Sequence, residues 1–93
     1  MKKINQLEKI RRELGRLRKD VDAVDYELVK VIAKRFKITD KIKILKSKNN
    51  LPAEDKNREL QIIERAQAIG SKLKINSQLL KDVLRAIMEE VKK

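Results

Sequence analysis

Apolar residues in the first half of the chain recur at alternating intervals of three and four positions. We call this set the seam, and its members are Leu14, Leu17, Val21, Val24, Leu28, Val31, Ile38, Ile42 and Leu45. Such spacing is typical of an amphipathic helix that packs like a strand of a coiled coil. Ile4 and Ile10 extend the pattern toward the start, and Pro52 follows its end. The pattern predicts one long helix over about residues 4–47.

Two shorter helices are predicted in the second half. Leu60 and Ile63 begin an apolar face of a helix over about residues 54–69, and Gly70 is expected to be its left-handed C-terminal cap. Asn76 or Ser77 can then cap a third amphipathic helix that extends to about residue 92. Because no strand pattern or internal repeat appears, residues 1–93 are predicted to form a single all-α domain.

The length of the first helix predicts a partner. A helix over residues 4–47 would be roughly 65 Å long at the usual rise per residue. The two shorter helices, each about 24 Å long, cannot cover it. The seam would then expose leucine and valine to water, so we expect a homodimer in which the long helices of two copies pack together.

The composition narrows the chemistry. The chain has 25 Lys and Arg against 14 Asp and Glu, a net charge of +11, which attracts anions of any kind. It has no Cys and no His, which excludes disulfides, zinc–thiolate sites, a cysteine nucleophile and a Ser-His-Asp triad. Neither a membrane-length apolar run nor a signal-peptide pattern is present, so the cytoplasm is the expected location.

Arg35 stands in the seam where leucine or isoleucine is expected, seven positions after Leu28 and seven before Ile42. Burial of an unpaired guanidinium is costly, so an anion or solvent must accompany it. The sequence leaves two interpretations open. Either an Asp or Glu of a neighbouring helix or local exposure satisfies the charge, or the guanidinium binds the carboxylate or phosphate of a ligand.

Other charged residues accompany this arginine in the predicted fold. Lys46 lies three turns further along nearly the same face, about 16 Å away. Arg58 and Glu59 fall in the first turns of the second helix, where Asp55 is favoured as a cap over a catalytic group. Arg18 lies about 25 Å from the seam arginine along the same helix, so only the Arg18 of an antiparallel partner could reach the same small ligand.

These residues resemble a known family. The segment over residues 17–25, Leu-Arg-Lys-Asp-Val-Asp-Ala-Val-Asp, is similar to the first-helix signature of the all-helical (AroQ-type) chorismate mutases. The resemblance covers about residues 14–91, and it continues through Leu28, Ala33, Lys34, Arg35, Lys46, Pro52, Asp55, Arg58, Glu59 and Gly70. It implies an intertwined homodimer with two active sites, each completed by both chains.

The resemblance also implies a role for each charged residue. Arg35, Lys46 and Glu59 would be catalytic: the arginine would grip a substrate carboxylate, the lysine would donate to the ether oxygen of the breaking bond, and the glutamate would hold the ring hydroxyl. The family usually has a small polar residue where this chain has Val91. It also has Gln or Glu one turn later, at what would be position 95.

Three further residues would bind substrate. The partner's Arg18 would grip the second carboxylate, Asp55 would help to hold the ring hydroxyl, and Arg58 would add charge at the mouth of the pocket. Conversion of chorismate to prephenate, a step of aromatic amino-acid biosynthesis, is a pericyclic rearrangement. It requires no nucleophile, metal or cofactor, so none is expected, and a chain without His or Cys can catalyse it by positioning and electrostatics.

Two alternatives remain at this stage. Isochorismate-pyruvate lyase activity on the same fold would use much the same cationic pocket. A basic helical nucleic-acid-binding protein is the alternative of another class. The near absence of aromatic residues, and the interleaving of acidic with basic ones, disfavour it. We therefore expect chorismate and a second copy of the chain as partners, and neither nucleic acid nor membrane.

Overall fold

The computed structural model describes residues 2–93, with side chains from Asn5 onward. It contains three helices, α1 (Lys2–Lys48), α2 (Lys56–Lys72) and α3 (Ser77–Val91), and no strand within that range. The prediction of an all-α chain with one long and two shorter helices is confirmed. The bounds of α2 differ most, since the sequence predicted about 54–69. Over the same residues, no helix is long and apolar enough to cross a membrane.

The chain divides into two units, which meet between Lys37 and Ile38. The first unit consists of α1 up to Lys37. Its seam side chains are exposed, from 43% at Leu14 to 66% at Val24. A single helix cannot bury its own apolar face, so this unit has no core within the described side chains.

The second unit contains the last turns of α1 together with α2 and α3, and its core lies where α2 packs against α3. Ile63 of α2 and Met88 of α3 are the buried large side chains among those described, at 6% and 8% exposure. The end of α1 is tied to the end of α3 by Lys43, whose Nζ donates to the carbonyl of Val91 at 3.2 Å.

Gly70 lies inside α2, so the prediction that it caps the helix is wrong. Neither glycine of the chain has a positive φ, and α2 continues to Lys72. Gly70 is buried, and a Cβ at this position would collide with Cδ1 of Leu80 on α3. The residue is therefore small because the two helices approach each other closely here, and not because the backbone turns.

The left-handed residue at the end of α2 is Lys74, with φ of 60°. The N–H of Ile75 donates to the carbonyl of Gly70 at 2.8 Å, and the N–H of Lys74 donates to that of Ser71 at 3.3 Å. These two bonds form a Schellman motif, which satisfies carbonyls that the helix end would leave unpaired. The chain then enters α3 at Asn76, whose Oδ1 accepts the N–H of Leu79 at 2.9 Å as an N-cap.

Candidate functional site

Lys46 lies in the last turn of α1 and is half-buried. Its carbonyl accepts the N–H of Leu51 at 2.9 Å, and Asn50 adopts the left-handed conformation with φ of 54°. Asparagine tolerates that conformation better than most residues do. The helix therefore ends in a tight reversal that follows Lys46 directly.

Asp55 caps the start of α2, as the sequence favoured. Its Oδ1 accepts the backbone N–H of Arg58 at 3.0 Å, and its carbonyl accepts the N–H of Glu59 at 3.1 Å. The carboxylate thus lies at the positive end of the α2 dipole. Arg58 engages this cap through its backbone and is exposed, whereas Glu59 is half-buried one turn into the helix.

An open cleft of about 480 Å³ separates the end of α1 from the start of α2. Its lining residues are Lys46, Leu51, Pro52, Glu54, Asp55, Lys56 and Asn57. The structure thus brings Lys46 and Asp55, two of the predicted site residues, to one cleft. Cations and carboxylates face it together, so it can offer hydrogen bonds of both kinds to a polar ligand.

Lys92, just after α3, forms an ion-pair cluster with three glutamates. Its Nζ lies 3.0 Å from a carboxylate oxygen of each of Glu54, Glu59 and Glu89. The hydrogen bonds that Lys92 donates to Glu59 first, then to Glu54 and Glu89, raise the pKa of Lys92 above its ordinary value. The same contact with Lys92 lowers the pKa of Glu54. Lys92 thereby connects a predicted site residue, Glu59, to the rim of the cleft.

Sequence reasoning did not identify Lys92. Its one local signal is Glu89, three residues earlier on the same helix face, which is an ordinary surface pairing. The contact with Glu54 spans 38 positions, and no periodicity predicts it. Across residues 2–93 the structure places no three acidic side chains so that they could share a metal ion.

The two remaining candidates lie on α1 in the first unit. Arg18 is exposed and Arg35 is half-buried. Both stand on the same helix, as predicted. They belong to the first unit, whereas the cleft belongs to the second. The structure therefore leaves the joint action of all six candidate residues as an expectation.

Comparisons with known proteins identify a family for this chain. The family described as chorismate mutase type II matches residues 17–93. A T-protein from Haemophilus influenzae is 31% identical over 74 residues, which cover 80% of this chain and 20% of that protein. A bifunctional chorismate mutase/prephenate dehydratase from Aquifex aeolicus is 40% identical over 53 residues, 57% of this chain and 15% of its own length.

A second bifunctional chorismate mutase/prephenate dehydratase, from Buchnera aphidicola, is 31% identical over 78 residues, 84% of this chain and 20% of its own length. This chain therefore spans about a fifth of the length of most of these relatives. No solved structure gives a significant match. Because the family match extends over residues 17–93, most of the chain, the chain belongs to the chorismate mutase type II family.

Proposed function

We propose that this chain catalyses the rearrangement of chorismate to prephenate in aromatic amino-acid biosynthesis. The observation that carries the proposal is the family match over residues 17–93, within which every predicted cation and carboxylate of the site falls. The cleft at Lys46 and Asp55 supports it, since it offers a donor and an acceptor to one small polar ligand.

In this proposal Arg35 and the partner's Arg18 bind the two carboxylates of the substrate, and Lys46 donates to the ether oxygen of the breaking bond. Arg35 and Lys46 are half-buried, whereas the other described Lys and Arg side chains of α1 are exposed. Partial removal from water strengthens a cation's interaction with an anionic ligand. Such donors accelerate the reaction by stabilising charge that develops as the bond breaks.

Glu59 and Asp55 supply the acceptors. Glu59 would accept the ring hydroxyl, and its side chain, 28% exposed, is positioned in the first turns of α2. Asp55 lies one turn earlier on the same face. Arg58 is exposed and would add positive charge at the entrance, where it would attract the dianion. The substrate is thereby held in the compact conformer that the rearrangement requires.

The active form is proposed to be an intertwined homodimer with two shared sites. The support is the seam, which is exposed along α1 in a single chain, with Leu28 at 54% and Ile42 at 46%. Exposed leucine, isoleucine and valine that recur along one helix face favour association. A second copy supplies both the cover for the seam and the second arginine of each site.

The test is chorismate consumption by the purified chain. Arg35→Ala should reduce kcat/KM by at least about 10², since one well-placed donor contributes that much or more. Lys34→Ala, which removes an exposed neighbouring cation, should change kcat/KM less than about twofold. A wild-type chain without turnover would contradict the proposal. Pyruvate release from isochorismate would instead assign the chain to the lyase reaction.

A further inference from the structure

Lys92 joins three separate segments of the second unit through one ammonium group. Glu54 precedes α2, Glu59 lies within α2 and Glu89 lies within α3. Each presents a carboxylate oxygen 3.0 Å from Nζ, and the lysine side chain is 35% exposed. No other lysine in the described part of the chain has three carboxylates at this distance.

The cluster is too exposed to matter chiefly for stability. Glu54 is 50% and Glu89 67% exposed, and solvent-exposed ion pairs contribute little to the free energy of folding. Its stronger effect is geometric. Three simultaneous contacts restrict the rotamers of Lys92 and of its partners. Among the three glutamates Glu59 has the least exposed side chain, at 28%.

The contact of Lys92 with Glu59 involves one of the two carboxylate oxygens. Lys92 contacts Oε1. An ionised carboxylate accepts hydrogen bonds at both oxygens. Lys92 can therefore fix the direction of Glu59 through one oxygen while the other accepts a donor from a ligand.

We propose that Lys92 is a positioning residue that acts through Glu59, holding this carboxylate so that its second oxygen receives the ring hydroxyl of the substrate. The inference rests on the proposed function. Lys92 itself does not touch the substrate. It links the end of α3 to Glu59 and to Glu54 at the cleft rim, so the packing of α3 on α2 determines where the acceptor lies.

The test is a double-mutant cycle with Lys92→Met and Glu59→Gln. Lys92→Met should reduce kcat/KM about tenfold, since small misplacements of a positioning group have effects of this order. The loss should appear mainly as a higher KM, because the hydroxyl contact exists in both ground and transition states. In the Glu59→Gln background, Lys92→Met should change kcat/KM less than twofold.

Two controls separate positioning from a general structural effect. Glu89→Gln removes one partner of Lys92 but leaves its contact with Glu59, so kcat/KM should stay within twofold of wild type. Lys92→Arg keeps the charge and the reach, and it should retain at least a third of the wild-type kcat/KM. Equal losses in Glu89→Gln and Lys92→Met would overturn the proposal.

The Tm of wild type, of the two single variants and of the double variant is also measured by thermal unfolding without substrate. The Tm shift of the double variant should be smaller than the sum of the single shifts, which shows that the Lys92–Glu59 pair exists in solution. Additive Tm shifts, or additive losses in kcat/KM, would each overturn the positioning role. Wild-type protein without turnover but with coupled Tm shifts would instead reject the proposed function, and with it the role of the pair in that reaction.

Discussion

Lys74 holds a backbone conformation that its residue type does not favour. Its φ of 60° is left-handed, and the two Schellman bonds that end α2 depend on it. For a residue with a Cβ, this conformation is less stable than a right-handed one by roughly 1–2 kcal/mol. Glycine has no such conformational energy, but it loses more backbone entropy on folding. Lys74→Gly should raise the free energy of unfolding by about 0.5–1 kcal/mol, as measured by urea denaturation.

The matched control at this position is Lys74→Ala. It removes the same charge but keeps the Cβ, so the free energy of unfolding should stay within about 0.5 kcal/mol of wild type. If Lys74→Ala stabilised the protein as much as Lys74→Gly, charge removal would be responsible and the conformational explanation would fail.

The Lys92 cluster predicts a pH dependence of stability. Because the pKa of Glu54 is lowered, its contribution is present above its ordinary value of 4.5 and is lost as the pH falls through the lowered pKa. Because the pKa of Lys92 is raised, its contribution is present below its ordinary value of 10.5 and is lost as the pH rises beyond it.

Lys92→Met should therefore flatten the urea-midpoint profile on both flanks, below pH 4.5 and above pH 10.5. The control is Glu90→Gln, which removes an exposed carboxylate paired with Lys93. Above pH 10.5 its urea midpoint should depend on pH in the same way as that of wild type. A Lys92→Met profile that parallels wild type at both extremes would show that the cluster is not formed in solution.

At the residue scale, the sequence predicts what local chemistry determines. Asp55 and Asn76 cap α2 and α3 because a short polar side chain before an apolar periodic run accepts the free N–H groups of a helix start. Lys74 and Lys92 could not be identified in this way. A lysine has no local preference for a left-handed turn, and two of the three glutamates that pair with Lys92 are more than 30 positions away in the sequence.

At the scale of elements, α2 and α3 approach each other closely at Gly70. A Cβ there meets Leu80, so Gly70→Ala must displace that side chain at a cost of roughly 1–3 kcal/mol. The gain in helix propensity, about 1 kcal/mol, offsets part of this cost. The expected result is a net loss of up to about 2 kcal/mol in the free energy of unfolding, measured by urea denaturation.

Gly15 provides the comparison, because a Cβ built at this position on α1 has no atom within 4 Å. Gly15→Ala should stabilise the chain by about 0.5–1 kcal/mol through helix propensity alone. Gains of equal size at both glycines would mean that α2 and α3 do not approach closely at Gly70.

The periodicity of the seam predicted α1 almost to its ends, because a long regular apolar repeat leaves few alternatives. It did not predict how α2 ends. A glycine at the end of a periodic run is typical of a cap, and only the position of Leu80 on α3 distinguishes a cap from a close contact.

At the scale of the whole molecule, the exposed seam makes association the central prediction. Leu28→Glu introduces a charge at a seam position that is 54% exposed in a single chain. In a dimer that charge would be desolvated, so the variant should sediment as a monomer and lose helical circular dichroism. The Tm of the wild-type chain should rise with protein concentration.

The control is Ala33→Glu, which adds the same charge on α1 at an exposed position away from the seam. It should sediment like wild type. If Leu28→Glu does so too, the seam is not the interface. The sequence predicted this uncovered seam from the apolar periodicity together with the length of the first helix.

Met88 makes the small core between α2 and α3 sensitive to oxidation. It is 8% exposed, and the thioether is the side chain of this cysteine-free chain that peroxide attacks most readily. A sulfoxide at this position would put a polar oxygen between α2 and α3 and loosen their contact. Since Met88 is mostly buried, we expect its oxidation, followed by mass spectrometry, to become faster under conditions in which α2 and α3 separate more often.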